Sequence, residues 1–246
     1  MIILQGVTYA TRARDKGKKV LAAAEVAIPC DHRIAVLGCA ANEPKIFIEV
    51  LGGLRVPQAG RVTRNARVSF PAGYVGGFKP EISVRLNAAY VARLYGADVE
   101  AVINFVEQIM NLGESFDKPI GRLAPAQRRR FSEVLAFSIP FDVYLFEDEL
   151  VRDNGRFYNE YARSLFEARI KSAGMIVASN DRDFVREFCD MALVLHRGKV
   201  RLFQNVERAI SFFERIAAKA DELEAASERE IKRMKRKARR ERIPQR

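Results

Sequence analysis

An α/β fold with a largely parallel sheet is predicted by two features of the sequence. Short apolar runs of strand type alternate with stretches whose apolar residues fall at helical spacing, and an early strand and helix are joined by a loop that starts on glycine. With 246 residues and 48% apolar composition, the chain suits one large or two small domains and has apolar side chains enough for a core.

In chain order, MIILQGVTYA and KKVLAAAEVAIP are strands separated by the polar turn TRARDKGK. Ile34 to Leu37 is the next strand, Gly38 to Pro44 a turn, and Lys45 to Leu51 a helix. RVPQAGRVTRNARVSFPAG adds another run of short strands with turn residues. Glu81 to Leu112 is helical in pattern through Leu86, Tyr90, Val91, Leu94, Val102, Phe105, Val106 and Ile109. Pro125 opens another helix through Phe131, Val134, Leu135 and Phe137. FDVYLFEDE is a buried-type strand that ends in acids, and MIVASND and MALVLHRGKVRLF are two more strands. The expected division is a body over 1–215, with a helical part at about 81–137, and a basic helical extension over 216–246 that has no Gly or Pro until Pro244.

Composition removes several functions. No apolar run reaches the roughly 18 residues of a membrane span, and the N-terminus lacks a basic-then-apolar signal pattern. Cys30, Cys39 and Cys189 are odd in number and widely spaced, which suits a reduced cytosolic setting, and Cys39 is expected to be a buried, inert thiol. With only His32 and His196 besides, expected at surface or turn positions, the sequence offers no metal-ligand spacing. The net charge of +11 is uneven: Glu228 to Arg246 carries ten Lys/Arg against three Glu, a net of +7, and the remainder carries +4. That tail suits a frayed solubilising segment, an anionic lipid surface, or nucleic acid held through phosphates alone, since no aromatic interleaves the charges.

The stretch RIAVLGCAANEPKIFIEVLGG has the strand, loop and helix order of a phosphate-binding loop. Against the pattern G-x-x-x-x-G-K-[ST], its defined places hold Gly38, Glu43, Pro44 and Lys45. Glu43 brings a Cβ and a negative charge, and a carboxylate 4 Å from a phosphate oxygen costs about 4 kcal/mol at an effective dielectric near 20. Pro44 removes both a cation and an N–H donor. Lys45 comes one position late, a rotation of roughly 100° on a helix start. The positions to watch for phosphate are therefore Gly38, Ala41, Glu43, Pro44, Lys45 and Ile46, with Lys45 able to restore part of the lost attraction.

These residues, with VLGGLRVPQAGRV, GYVGGFKPEISVRLN, ARLYGAD, FDVYLFEDE and CDMALVLHRGKV, resemble the nucleotide-binding subunit of ABC transporters, in particular the subgroup that exports capsular polysaccharide or O-antigen. The likeness runs from about Val7 to Phe213. It implies an α/β, P-loop NTPase-type ABC nucleotide-binding domain with an antiparallel β subdomain and a helical subdomain. It also implies ATP and magnesium as cofactors, a membrane permease as partner, pairing into a homodimer or with another ABC subunit, and a peripheral place on the cytoplasmic face of the bacterial inner membrane.

The family's functional positions carry other residues here. Lys79 stands at the glutamine loop, where it would sit near a phosphate or face a membrane-subunit helix. The signature motif reads Leu123, Ala124, Pro125, Ala126, Gln127, followed by Arg128, Arg129 and Arg130, which either draw an anion or form a solvated face. Glu147 then Asp148 replace aspartate then glutamate, as a magnesium position through water and a weakened base, or as acids that cap a loop. A displacement of about 1 Å there can lower a rate a hundredfold. Asn180 takes the place of the histidine that contacts the terminal phosphate, and Thr11 that of the adenine-stacking aromatic, with Tyr9 two positions earlier. Each site in such pairs joins one chain's loop to the other's signature, and both halves are altered here. Two readings follow: an exporter subunit with reduced or lost hydrolysis, or a non-catalytic scaffold or regulator docked on a permease or an intact ABC subunit. A nucleic-acid-binding role has only the tail behind it.

Overall fold

The computed structural model describes residues 1–11, 19–40, 42–147, 152–153, 156–157 and 160–220. Three strands, β1 (Ile2–Ala10), β2 (Lys19–Ile28) and β4 (Ala59–Arg64), form an antiparallel sheet in the order β2-β1-β4. A second sheet runs β10-β9-β3-β8-β5, built from β3 (Arg33–Gly38), β5 (Val143–Phe146), β8 (Gly174–Ala178), β9 (Met191–His196) and β10 (Lys199–Phe203). Its β3, β5, β8 and β9 pair in parallel, and β10 joins as an antiparallel edge. The short strands β6 (Arg152–Asp153) and β7 (Arg156–Phe157) pair with each other.

Parallel strands buried on both faces need apolar residues at successive positions, and Ile34 to Leu37 supply them. Alternate side chains feed two cores. Ala35, Leu37, Tyr144, Phe146, Met175 and Val177 face a helical layer, whereas Ile34, Val36, Leu145, Ile176 and Leu193 face the antiparallel sheet. The helix α1 (Glu43–Leu51) lies on the second side, packed against β3 and β8 and against β2. Wedged between layers, it buries every residue except Lys45. Its C-terminus is closed by Arg64 of β4, whose guanidinium donates to the carbonyls of Leu51 (2.6 Å) and Val50 (3.0 Å).

The helical layer holds α2 (Val84–Leu94), α3 (Val99–Met110) and α4 (Pro125–Ser138), with α5 (Glu160–Ser172), α6 (Arg182–Phe188) and a last helix α7 over 206–220. The single helical pattern expected from Glu81 to Leu112 is thus two helices. Gly96, at φ +64°, turns the chain, and Asp98 accepts from Ala101 N–H (3.0 Å) to start the second. MALVLHRGKVRLF likewise splits into β9 and β10 around Arg197 and Gly198, both at positive φ, the backbone that tight hairpins need. From RVPQAGRVTRNARVSFPAG only β4 forms as a strand, with Val68 and Ala72 bridging to β5. The helix α1 begins two residues before Lys45. The helix α7 spans the expected 215/216 boundary and buries Val206, Ala209, Ile210 and Phe213, so its first part is packed on the body. The sequence beyond residue 220, including the basic tail, lies outside the described residues.

One buried amide holds the connection that enters α2. Asn87, 2% exposed, accepts from Lys79 N–H (3.1 Å) and donates to the carbonyls of Lys79, Ile82 and Ser83 (3.2, 3.2 and 3.0 Å). Removing it leaves several backbone groups without partners in a closed place. Asn87→Ala is therefore expected to lower stability by about 2 to 4 kcal/mol, seen as a fall in the urea midpoint; an unchanged midpoint would show that the turn holds without the amide.

Candidate functional site

The loop between β3 and α1 lies at the carboxyl ends of the parallel strands, the place where open α/β sheets bind ligands. Its first residue is tightly placed. A Cβ on Gly38 would come within 2.9 Å of the Pro44 ring, so glycine is what lets the loop close onto that proline. The Gly38 peptide is also clasped by Asn180, which follows β8: its Oδ1 accepts from Gly38 N–H (3.3 Å) and its Nδ2 donates to Gly38 C=O (3.1 Å). The side chain expected at a terminal phosphate is thus bonded to the loop backbone. Glu43, 7% exposed, and Pro44 both lie buried at the start of α1, and Ile46 is turned into the core.

Lys45 leaves the helix toward the end of β5, and its Nζ lies 2.7 Å from Glu147 Oε2. The Lys45 side chain is half exposed and that of Glu147 only 7% exposed. Burial pushes the Glu147 carboxyl above its ordinary range; the Lys45 ammonium works against that, Glu49 adds to it, and Arg129 opposes it. The second oxygen, Glu147 Oε1, is buried and has no hydrogen-bond partner among the described residues. Of the positions singled out in the sequence, the structure therefore joins Gly38 to Asn180 and Lys45 to Glu147. Ala41 and Asp148 lie outside the described residues.

The other expected positions stand elsewhere. Lys79 is exposed, its backbone held by Asn87, and no described contact connects it to Lys45 or Glu147. Ala124 caps the start of α4, where Gln127 Oε1 accepts from Ala124 N–H (3.1 Å), so the Gln127 amide is occupied within its own helix end. The three arginines that follow are not one solvated face. Arg130 donates to the Ile109 carbonyl at the end of α3 (3.2 Å), Arg129 Nε lies 3.9 Å from Glu133 Oε1, and Arg128 is half-buried. Cys39 is exposed rather than buried. His32 is partly exposed beside Asp31 (2.9 Å), and His196 is half-buried at the end of β9.

Two arrangements escaped the reading of the sequence, one a pairing and the other an exposed face. Glu49, 4% exposed inside α1, pairs with Arg55, whose Nη1 donates to Tyr9 Oη (2.9 Å) while its guanidinium lies 5.8 Å from the Tyr9 ring. Glu49 and Tyr9 hold Arg55 well above its ordinary pKa range. A Glu flanked by Ile48 and Val50 inside an apolar helix is the signal that was there to read. Tyr9 is accordingly buried, bonded to Arg55, and only 8% of it meets solvent. The second group is on α2, where Leu86, Tyr90 and Leu94 share the helical pattern with buried Val91 but are 55%, 57% and 64% exposed. Leu54, Val56, Val75 and Met1 are the other large apolar residues exposed among the described residues.

No protein-family model matches the chain. Among curated proteins it is 28% identical over 213 residues to the polysialic acid transport ATP-binding protein KpsT of Escherichia coli, covering 85% of this chain and 95% of that protein. It is 24% identical over 213 residues to the capsule polysaccharide export ATP-binding protein CtrD of Neisseria meningitidis serogroup B, covering 87% and 98%. The solved dimer of the ATP-binding cassette MJ0796 in a post-hydrolysis state with ADP and Pi superposes with a TM-score of 0.63 at 15% identity, over 83% of this chain and 98% of that one. The chain is thus similar over most of its length to the ATP-binding proteins of capsule-polysaccharide and O-antigen export ABC systems, and its fold is that of an ABC ATPase domain.

Proposed function

We propose that this chain serves as the ATP-binding-type subunit of a capsule-polysaccharide or O-antigen exporter, paired with a second ABC subunit and docked on a membrane permease at the cytoplasmic face of the inner membrane, with ATP hydrolysis reduced or lost. The relatives support the biological setting. The reduced chemistry rests on one observation above all: Lys45, the cation nearest the phosphate position, is held by Glu147 at 2.7 Å.

A magnesium-bound triphosphate fits these residues poorly. The Gly38 N–H is taken by Asn180, Pro44 has no N–H, and Glu43 adds a buried carboxylate where the helix start favours the ligand's negative charge. Among the described residues, Glu147 Oε1 is the feature that suits a hydrated cation, a buried acceptor with no described partner. What the residues do instead is settle the site internally, with the ammonium on the carboxylate and the amide on the loop. A partner chain with intact motifs would meet Ala124 and Pro125 across the pair, so a mixed site would be weakened too.

Docking is supported by where the exposed apolar residues fall. Leu86, Tyr90 and Leu94 make a stripe at i, i+4 and i+8 on α2, a pattern suited to receiving a helix. The turn before α2 is fixed at both ends, by Asn87 and by Ser132 of α4, which accepts from Gly73 N–H (3.0 Å) and donates to Tyr74 C=O (2.9 Å). Among the described residues no helix is long and apolar enough to cross a membrane, so on this reading the permease supplies the membrane contact.

Three measurements test this. Phosphate release by purified protein with magnesium and ATP is expected at least about a hundredfold below that of an ABC subunit with intact motifs; release at the ordinary rate would overturn the reading. Glu147→Gln is expected to be more thermostable than the parent at neutral pH. The sign follows from burial: a carboxyl whose folded pKa is raised loses stability as pH climbs from its ordinary 4.5 upward, so the variant's advantage should vanish toward pH 4.5. Tyr90→Glu, at an exposed position, should leave the melting temperature within a degree or two, since surface changes stay within about 0.5 kcal/mol, yet reduce co-purification with a co-expressed capsule-export permease by at least about tenfold; retained co-purification would remove α2 from the interface.

A further inference from the structure

On α7 the acidic and the basic side chains follow separate seven-residue repeats. Glu207 and Glu214, seven residues apart, turn to α6: Glu207 accepts from Arg186 (2.9 and 3.4 Å), and Glu214 lies 2.9 Å from Arg182. Arg208 and Arg215, also seven residues apart, share the neighbouring face, which looks onto β10 and its Arg201. None of these three arginines pairs with a carboxylate among the described residues, and all three are exposed. They surround a recess of about 390 Å³ between β10 and α7, with Ser211 and Glu207 also on its wall, the Glu207 carboxylate being taken by Arg186.

The floor of that recess meets two of the arginines, Arg201 and Arg215. Phe203 of β10 and Phe212 of α7 pack with ring centroids 5.3 Å apart. The Arg201 guanidinium lies 4.8 Å from the Phe203 ring and 5.4 Å from the Phe212 ring, and the Arg215 guanidinium lies 5.9 Å from Phe212. A guanidinium held near a ring keeps its in-plane N–H groups for an outside acceptor, which is the arrangement that binds carboxylates two bonds at a time. Gathering like charges around one ring is unfavourable by itself, so an anionic partner complements it.

We propose that the β10–α7 face is a docking surface for an acidic helix of a partner protein, read by Arg201, Arg208 and Arg215. Arg208 and Arg215 stand two turns apart, about 10 Å along the axis, the spacing at which a second helix repeats its own carboxylates. One isolated phosphate would not span that distance. The two rings are half-buried and flanked by guanidinium groups. They do not stand out as apolar anchors in the way a lipid-facing helix presents them, nor as open faces for stacked bases. The surface is separate from the loop end of the sheet, and the inference stands whether or not ATP is hydrolysed.

The test uses the full chain and its R201Q/R208Q/R215Q variant, with a fluorescein-labelled oligoglutamate read by anisotropy at physiological salt. The basic residues from 228 onward are the same in both, so their contribution cancels. The variant is expected to fold with an unchanged melting temperature and to bind the oligomer at least about tenfold more weakly, and the corresponding triple Lys variant to recover only part of the loss. Equal binding by parent and Gln variant would overturn the proposal. So would full recovery by lysine, which would reduce the face to bare charge, or a loss confined to phosphatidylglycerol vesicles or single-stranded DNA used as parallel probes.

Discussion

The direction in which α1 presents Lys45 governs the loop end of the molecule. Ile46, Phe47, Ile48, Val50 and Leu51 lock the helix into the core between the two sheets, so its rotation is set by packing and not by any ligand. Lys45 is the one residue left to emerge, and it emerges where β5 delivers Glu147. The ion pair is therefore a consequence of the core. It is also incompletely balanced: burial raises the Glu147 carboxyl more than the half-exposed ammonium lowers it, because water shares the Lys45 charge.

The same logic recurs around α1. Glu49 is a second buried acid on that helix, and it is held by Arg55, which is in turn bonded to Tyr9 of β1. The helix's last carbonyls are taken by Arg64 of β4, itself losing proton affinity through burial. Three polar ties thus fasten α1 to β5, to β1 and to β4, and all of them are made by side chains of this chain. An ABC fold whose loop grips a ligand has that ligand to organise the helix start. Here Asn180 and Pro44 close the loop from inside.

Much of the fold could be read from residue patterns because the patterns were redundant. The runs around Ile34, Val143, Ile176 and Leu193 are apolar at consecutive positions, which only a sheet covered on both faces tolerates. The breaks were harder. A helix over Glu81 to Leu112 satisfied the periodicity, and only Gly96 followed by Asp98 marked the two ends inside it. At the site, the identities of Gly38, Lys45, Glu147 and Asn180 were visible, but their pairing was not, since Gly38 and Asn180 are 142 residues apart and no local rule joins them. The exposure of Leu86, Tyr90 and Leu94 was hidden for a related reason. Helical spacing tells which residues share a face, and only the tertiary structure tells whether that face is covered.

The two exposed surfaces are of opposite character, and this bears on how such a chain is used. On α2 the uncovered residues are apolar, at positions where a monomer gains nothing from them, while on the β10–α7 face they include three guanidiniums, two of which, those of Arg201 and Arg215, lie near half-buried rings. An apolar stripe gains most from a partner that removes it from water, whereas an arginine cluster selects partners by charge and geometry and adds little from area alone. A subunit whose loop end is already closed by its own Lys45, Glu147 and Asn180 still offers both kinds of contact. The residues that close the loop, Lys45, Glu147 and Asn180, are distinct from those that set the two surfaces, Asn87 and Ser132 beside α2 and Phe203 and Phe212 between β10 and α7, so the surfaces do not depend on what the loop holds.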